Sequence, residues 1–162
     1  MQQKFHPVHS IPNQSFTTDT LLLVEDNPDD IFLMRRALKK TGLELPVQIV
    51  TDGKQALDYL SGSEHYADRQ RFPRPTWVFL DLKLPYLNGF EVLEWIRSDA
   101  DHRDLDVVIL TSSPEERDKE TARRLGAKAY LVKPPTMESL LGVFTQFSPP
   151  LEAPSMSQYA HL

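Results

Sequence analysis

Cysteine is absent from the chain, which excludes disulfides and thiolate-bound metals outright. Long apolar runs are missing as well: none approaches the ~18 to 20 residues needed to cross a bilayer. The opening MQQKFHPVHSIPNQSF has no continuous apolar centre of the kind a secretory signal carries. Basic charge is in deficit, with 18 Lys and Arg against 23 Asp and Glu and a net charge of −5, so a sequence-independent grip on nucleic-acid phosphates is not supported. The 5 histidines stand in unrelated places without metal-ligand spacing. What remains is ordinary globular usage: 40% hydrophobic and 25% charged residues over a length of 162, enough for one packed domain. The expectation is a soluble cytoplasmic protein with no membrane and no direct nucleic-acid contact.

Residues 1–19 are polar with scattered prolines, and 148–162 hold Pro149, Pro150 and Pro154. Both read as tails around a domain at 20–147. Within it, short apolar runs alternate with helical patterns. The runs are Leu21 to Val24, Val47 to Val50, Trp77 to Leu80, Val107 to Leu110 and Ala129 to Val132. The first, third and fourth are apolar throughout, as strands covered on both faces must be. Gln48 interrupts the second and Lys128 opens the fifth, which marks those two as sheet edges. Helix starts follow: Asn27 before Pro28, Asp29 and Asp30; Asp52 before Gln55; Asn88 before Glu91; Ser113-Pro114-Glu115-Glu116; and Thr136 before Met137 and Glu138. Gly42, Gly62 and Gly126 fall where left-handed C-terminal residues are wanted. The spacing of the first helix turns Ile31, Leu33, Met34, Ala37 and Leu38 inward.

Strict strand–helix alternation predicts a parallel sheet with right-handed crossovers and helices on both faces. Such sheets place function beyond the C-terminal ends of their strands. Glu25 and Asp26 follow the first run, Asp81 the third, Thr111 and Ser112 the fourth, and Lys133 the fifth, while Asp106 precedes the fourth. Carboxylates crowded at neighbouring strand ends repel and need a cation or a proton; oxygen donors without His or Cys suit Mg2+. The same groups suit phosphoryl transfer, which is mainly positioning and charge neutralisation. Asp81 can act as the nucleophile, with Mg2+ held by Asp26 and Asp81. Lys133 supplies a mobile point charge and Thr111 a hydrogen bond.

These residues resemble the receiver domain of two-component response regulators. The matching stretches are LLLVEDNPDD, VFLDLKLPYLNGFEVL, VVILTSS and AYLVKP, together spanning about 20–147. VEDNPDDIFLMRRAL, with the long stretch between the second helix and third strand, is most similar to the cyanobacterial-phytochrome-associated branch of stand-alone receivers. The resemblance implies an α/β, flavodoxin-like (βα)5 three-layer sandwich with a five-stranded parallel sheet of order 2-1-3-4-5. It implies that Asp81 takes a phosphoryl group from a sensor histidine kinase, of phytochrome type for this branch, or from a phosphotransfer protein. Glu25, Asp26, Asp81 and the backbone carbonyl of Lys83 would arrange Mg2+, and the Lys133-Pro134 bond would be cis. Thr111 and Tyr130 match the switch positions, and the surface of the fourth helix, fifth strand and fifth helix would carry the output. Such a protein is a phosphoacceptor whose own catalysis extends only to phosphoryl transfer and autodephosphorylation. The fifth helix carries Met137, Leu140, Leu141, Val143, Phe144 and Phe147, more than one core stripe needs, and related receivers pair through the strand 4 to helix 5 side. Two departures are Pro135 after Pro134, and Lys83 and Ser113 at the variable positions flanking the phosphorylation site.

Other readings fit less well. A haloacid-dehalogenase-type phosphatase wants a second Asp two residues after the first, where Lys83 stands. A dinucleotide or flavin binder needs a glycine- or hydroxyl-rich phosphate loop after the first strand, and Glu25-Asp26-Asn27 would repel phosphate. A protein-binding module with a receiver fold and vestigial phosphorylation is the remaining alternative. Position by position, Tyr130 could be a core aromatic, Thr111 a turn hydroxyl and Lys133 an exposed loop lysine. The segment from Ser61 to Pro75 reads as a solvated loop whose Arg69, Arg71 and Arg74 could meet an acidic partner.

Overall fold

The computed structural model describes residues 19–147; apart from Asp19, the two expected tails lie outside the described residues. Five strands, β1 (Leu21–Val24), β2 (Val47–Val50), β3 (Trp77–Leu80), β4 (Asp106–Thr111) and β5 (Ala129–Val132), alternate with five helices. These are α1 (Pro28–Lys40), α2 (Gly53–Ser61), α3 (Gly89–Ser98), α4 (Glu116–Arg124) and α5 (Met137–Phe147). Every strand pair is parallel and the order is β2-β1-β3-β4-β5, the flavodoxin-like arrangement that the resemblance implied. β1 and β3 are buried at every position, while β2 and β5, the edges, are only partly covered.

Side chains alternate across a strand, so each apolar run feeds two cores. Leu22, Val24, Val78, Leu80, Val107 and Ile109 face α2 and α3, meeting Tyr59, Leu60, Val92, Leu93 and Ile96. Leu21, Leu23, Trp77, Phe79, Val108 and Leu110 face α1 and α5, meeting Met34, Leu38, Leu140, Val143 and Phe144. Burying each such side chain is worth about 1.5 to 3 kcal/mol, which locks the register from which the strand ends emerge. Phe144 stacks on Phe79 at 5.9 Å and meets Trp77 edge-on at 5.3 Å. On α5, Leu140, Val143 and Phe144 are thus spent in the core.

Four helix starts are capped as their sequences predict. Asn27 Oδ1 accepts the amides of Asp29 and Asp30 at 2.9 and 3.4 Å, and Asp52 Oδ1 accepts that of Gln55 at 2.7 Å. Asn88 and Glu91 form a reciprocal capping box, and Thr136 and Ser139 exchange bonds of 3.1 and 3.0 Å. The fourth helix departs from expectation. It begins at Glu116, and its N-cap, Glu115, makes no side-chain cap bond. Ser113 is committed elsewhere: its hydroxyl donates to Asp118 at 2.6 Å and its carbonyl accepts the Tyr130 hydroxyl at 2.8 Å.

Two further expectations are corrected. Leu33 is 39% exposed, beside Phe32 at 63%, because one residue before Met34 lies about 100° around the helix from the buried stripe. The segment from Ser61 to Pro75 is mostly exposed, as a solvated loop should be, but it is anchored to the domain and its Arg69 is not free for a partner. Its single 3-10 turn, Glu64–Tyr66, and Phe72 bring aromatic rings onto Tyr59 at 5.2 and 6.1 Å. Arg69 donates to the carbonyls of Tyr59, Leu60 and Phe72, so its guanidinium caps α2 rather than facing a partner. Arg71 lies over the Phe72 ring.

Candidate functional site: a carboxylate cleft closed by a lysine

Backbone pairing delivers the acidic residues to one place. The Asp81 amide donates to the Val24 carbonyl at 3.1 Å, and the Glu25 amide to that of Val50 at 3.1 Å. The ladders therefore run one residue past β1 and β3, and their next side chains emerge together. Carboxylate oxygens of Glu25, Asp26 and Asp81 all lie within 4.8 Å of one another. Glu25 and Asp81 are 1% and 6% exposed, whereas Asp26 faces solvent. The loop after Asp81 is held close. Gly89 sits where a Cβ would fall 2.2 Å from the Asp81 carbonyl oxygen, so any larger residue would push that backbone away. The Lys83 amide donates to Asp81 Oδ1 at 3.4 Å, and its side chain is exposed.

Lys133 arrives from the other side. Its amide donates to the Thr111 carbonyl at 2.8 Å, extending the β4–β5 ladder, and the Lys133-Pro134 bond is cis. Its ammonium pairs with Glu25, with Asp30 at 2.9 Å and with Asp81 at 2.9 Å. Burial alone would push the Lys133 pKa down, but the hydrogen bonds to Glu25, Asp81 and Asp30 outweigh it and raise it. Glu25 is also raised. Burial is the largest cause and Asp81 adds repulsion, against lowering by Lys133 and the Asn27 amide. The cleft thus carries more negative charge than its one ammonium neutralises, which suits an added cation.

Sequence reasoning read Asp30 only as a complement to the helix dipole. Its meeting with Lys133 spans 103 positions. The available signal was its place in the first turn of a helix that starts directly above β1. Asp106 lies at the opposite end of β4 and pairs with Lys128 at 3.0 Å, outside the cleft. Thr111 is fully buried. Its hydroxyl accepts the Ser113 amide at 3.4 Å, and Ser113 in turn accepts the Tyr130 hydroxyl, so one residue links the two. Burial is the main cause of a raised Tyr130 pKa, which keeps its phenol a donor.

A doubly wound sheet with an acidic, lysine-closed cleft where strand order reverses defines the receiver class of signalling domain. Residues 21–145 match the response regulator receiver domain, and the chain belongs to that family. It is 38% identical over 120 residues to the probable methanogenesis regulatory protein FilR2 of Methanothrix harundinacea, covering 74% of this chain and 75% of that one. It is 33% identical over 128 residues to the response regulator Rcp1 of Synechocystis sp., covering 79% and 85%. Solved structures include the bacteriophytochrome response regulator RtBRR, at 40% identity and TM-score 0.73 over 81% of this chain and 78% of that one. The phosphorylated cyanobacterial phytochrome response regulator RcpA matches at 31% and 0.70 over 83% and 99%. The Mn(2+)-bound form of Rcp1 matches at 32% and 0.67 over 80% and 93%. The chain is a signalling domain rather than a conventional enzyme, of a family that holds Mg2+ or Mn2+ at an acidic site. Among the described residues, no helix is long and apolar enough to cross a membrane.

Proposed function

We propose that this protein is a response regulator, with its receiver domain at 20–147, that accepts a phosphoryl group on Asp81. The observation that carries the reading is the convergence of Glu25, Asp26 and Asp81 within 4.8 Å, with Lys133 on two of them. The donor would be a sensor histidine kinase, of phytochrome type given RtBRR and RcpA, or a phosphotransfer protein, and the setting the cytoplasm. The residues fit a divalent cation: three hard carboxylate donors and no soft ligand. Glu25, Asp26, Asp81 and the Lys83 carbonyl would hold it, and when bound it offsets charge on the transferred oxygens.

In the transfer, an Asp81 oxygen forms the new O–P bond as the donor's N–P bond breaks. Lys133 then neutralises one phosphoryl oxygen and Thr111 donates to another. Drawing Thr111 inward disturbs the Ser113 segment on which the Tyr130 hydroxyl rests, and Tyr130 carries the change to the α4, β5 and α5 surface. Shifting such an equilibrium from 1:99 to 99:1 takes about 5.5 kcal/mol, within reach of charge-assisted bonds formed in a partly buried cleft. A homodimer through the β4 to α5 side fits the exposed Val132 at the edge strand.

The experiment is labelling with acetyl phosphate and Mg2+. Wild type should incorporate phosphate at Asp81, and Asp81→Asn should lose labelling while its circular dichroism stays native. No incorporation in wild type would instead favour a binding module whose phosphorylation is vestigial.

A further inference from the structure

The three carboxylates around the Lys133 ammonium are not equivalent. Glu25 and Asp81 also belong, with Asp26, to the group of oxygens within 4.8 Å of one another. Asp30 stands outside that group. It sits in the first turn of α1, its amide held by Asn27 Oδ1 at 3.4 Å and its carboxylate 2.9 Å from Lys133 Nζ. The lysine therefore rests on two of the oxygen donors that a divalent cation would need. A cation and an ammonium on the same carboxylates repel each other, and Asp30 is then the one of Lys133's three partners that the cation does not claim.

We propose that Asp30 is a positioning residue that receives the Lys133 ammonium when a divalent cation takes Glu25 and Asp81, and so sets how readily the cleft loads. The proposal rests on the phosphoacceptor reading above and adds a partner that acts through the lysine. Without Asp30, cation binding breaks the lysine's pairs with no replacement. With it, the lysine swings aside on its flexible stem, keeping its charge beside Asp81, where a phosphoryl group would arrive.

The test is Mg2+ titration calorimetry on the full chain, comparing wild type, Asp30→Asn, Asp29→Asn, Lys133→Met and the Asp30→Asn/Lys133→Met double variant. Asp29 is the control: it occupies the same helical turn, and its side chain is not among the partners of Lys133. Asp30→Asn should weaken Mg2+ binding about fivefold, the size expected of one partly exposed ion pair, and Asp29→Asn distinctly less. In the Lys133→Met background, Asp30→Asn should weaken binding no more than Asp29→Asn does, a dependence that a bulk-charge or folding effect would not show. Equal effects of the two aspartates, or an Asp30 effect beyond that of Asp29 that survives loss of the lysine, would overturn the proposal and leave the phosphoacceptor reading intact. A wild type that neither binds Mg2+ nor takes label from acetyl phosphate would overturn both.

Discussion

Each end of the sheet holds side-chain cations ringed by oxygen atoms, and the oxygens differ in kind. Beyond the C-terminal strand ends, Lys133 faces the carboxylates of Glu25, Asp30 and Asp81. At the opposite end, Arg97 donates to the carbonyls of Arg103 and Leu105 at 2.8 Å and of Gly126 at 2.7 Å. Burial penalises both cations, yet the outcomes are opposite. Lys133 ends above its ordinary pKa because its carboxylate bonds outweigh burial. Arg97 ends below its own, because burial prevails over the attraction of Asp106 and Asp104. Carbonyls have no net charge to surrender, and a planar fork bonded to several of them is a permanent clamp. A flexible ammonium held by carboxylates can give way to another cation. On the reading proposed above, one end is built to stay and the other to trade.

Removing the clamp should give the largest effect. Arg97→Ala leaves three backbone carbonyls without their charged donor, and should lower unfolding free energy by about 3 kcal/mol, read as a shift in the urea midpoint. Phosphoryl labelling of the folded fraction should be unchanged. Lost labelling with an unchanged midpoint would break the division between the two ends.

Neutralising the cleft should act in the other direction. A carboxyl with a raised pKa favours its protonated form in the folded state. Its stabilising contribution is present below the ordinary value of 4.5 and is lost as pH rises through the folded value. Glu25→Gln stays neutral throughout. In cation-free buffer it should be more stable than wild type at about pH 7 and lose that advantage at about pH 4, with a gain smaller than the Arg97 loss. Denaturant titrations at both pH values check this; an advantage that persists in acid would mean that charge is not its source.

The smallest effect concerns the loop between β3 and α3. Tyr86 has φ of 66° and is 85% exposed, so no packing offsets a backbone region that disfavours bulky residues. Tyr86→Gly should gain about 1 kcal/mol, seen as a higher thermal midpoint. No gain would show that the loop holds Tyr86 without strain.

Much of this was legible in the chain because it is local. Apolar runs four residues long, the Asn27 and Asn88 caps, and the left-handed Gly42, Gly62 and Gly126 depend on neighbours in sequence. The acidic pair, Asp81, Thr111 and Lys133 could be singled out because each directly follows a run that reads as a strand. Two misreadings fell where partners beyond the immediate neighbours decide. Ser113 is drawn out of its helix by Asp118 and Tyr130, and Arg69 looked free until the carbonyls closing α2 were found beside it.

Short apolar runs and helix punctuation were enough, along the chain alone, to dictate an open parallel sheet and the ends at which chemistry gathers. The identity of each cation's partners came only with the packed molecule. Asp30 reaches Lys133, and Arg97 reaches Gly126, across gaps of 103 and 29 residues, and no local propensity encodes such contacts. They exist because two buried cores fix the strand register, and the register determines which side chains leave the sheet side by side.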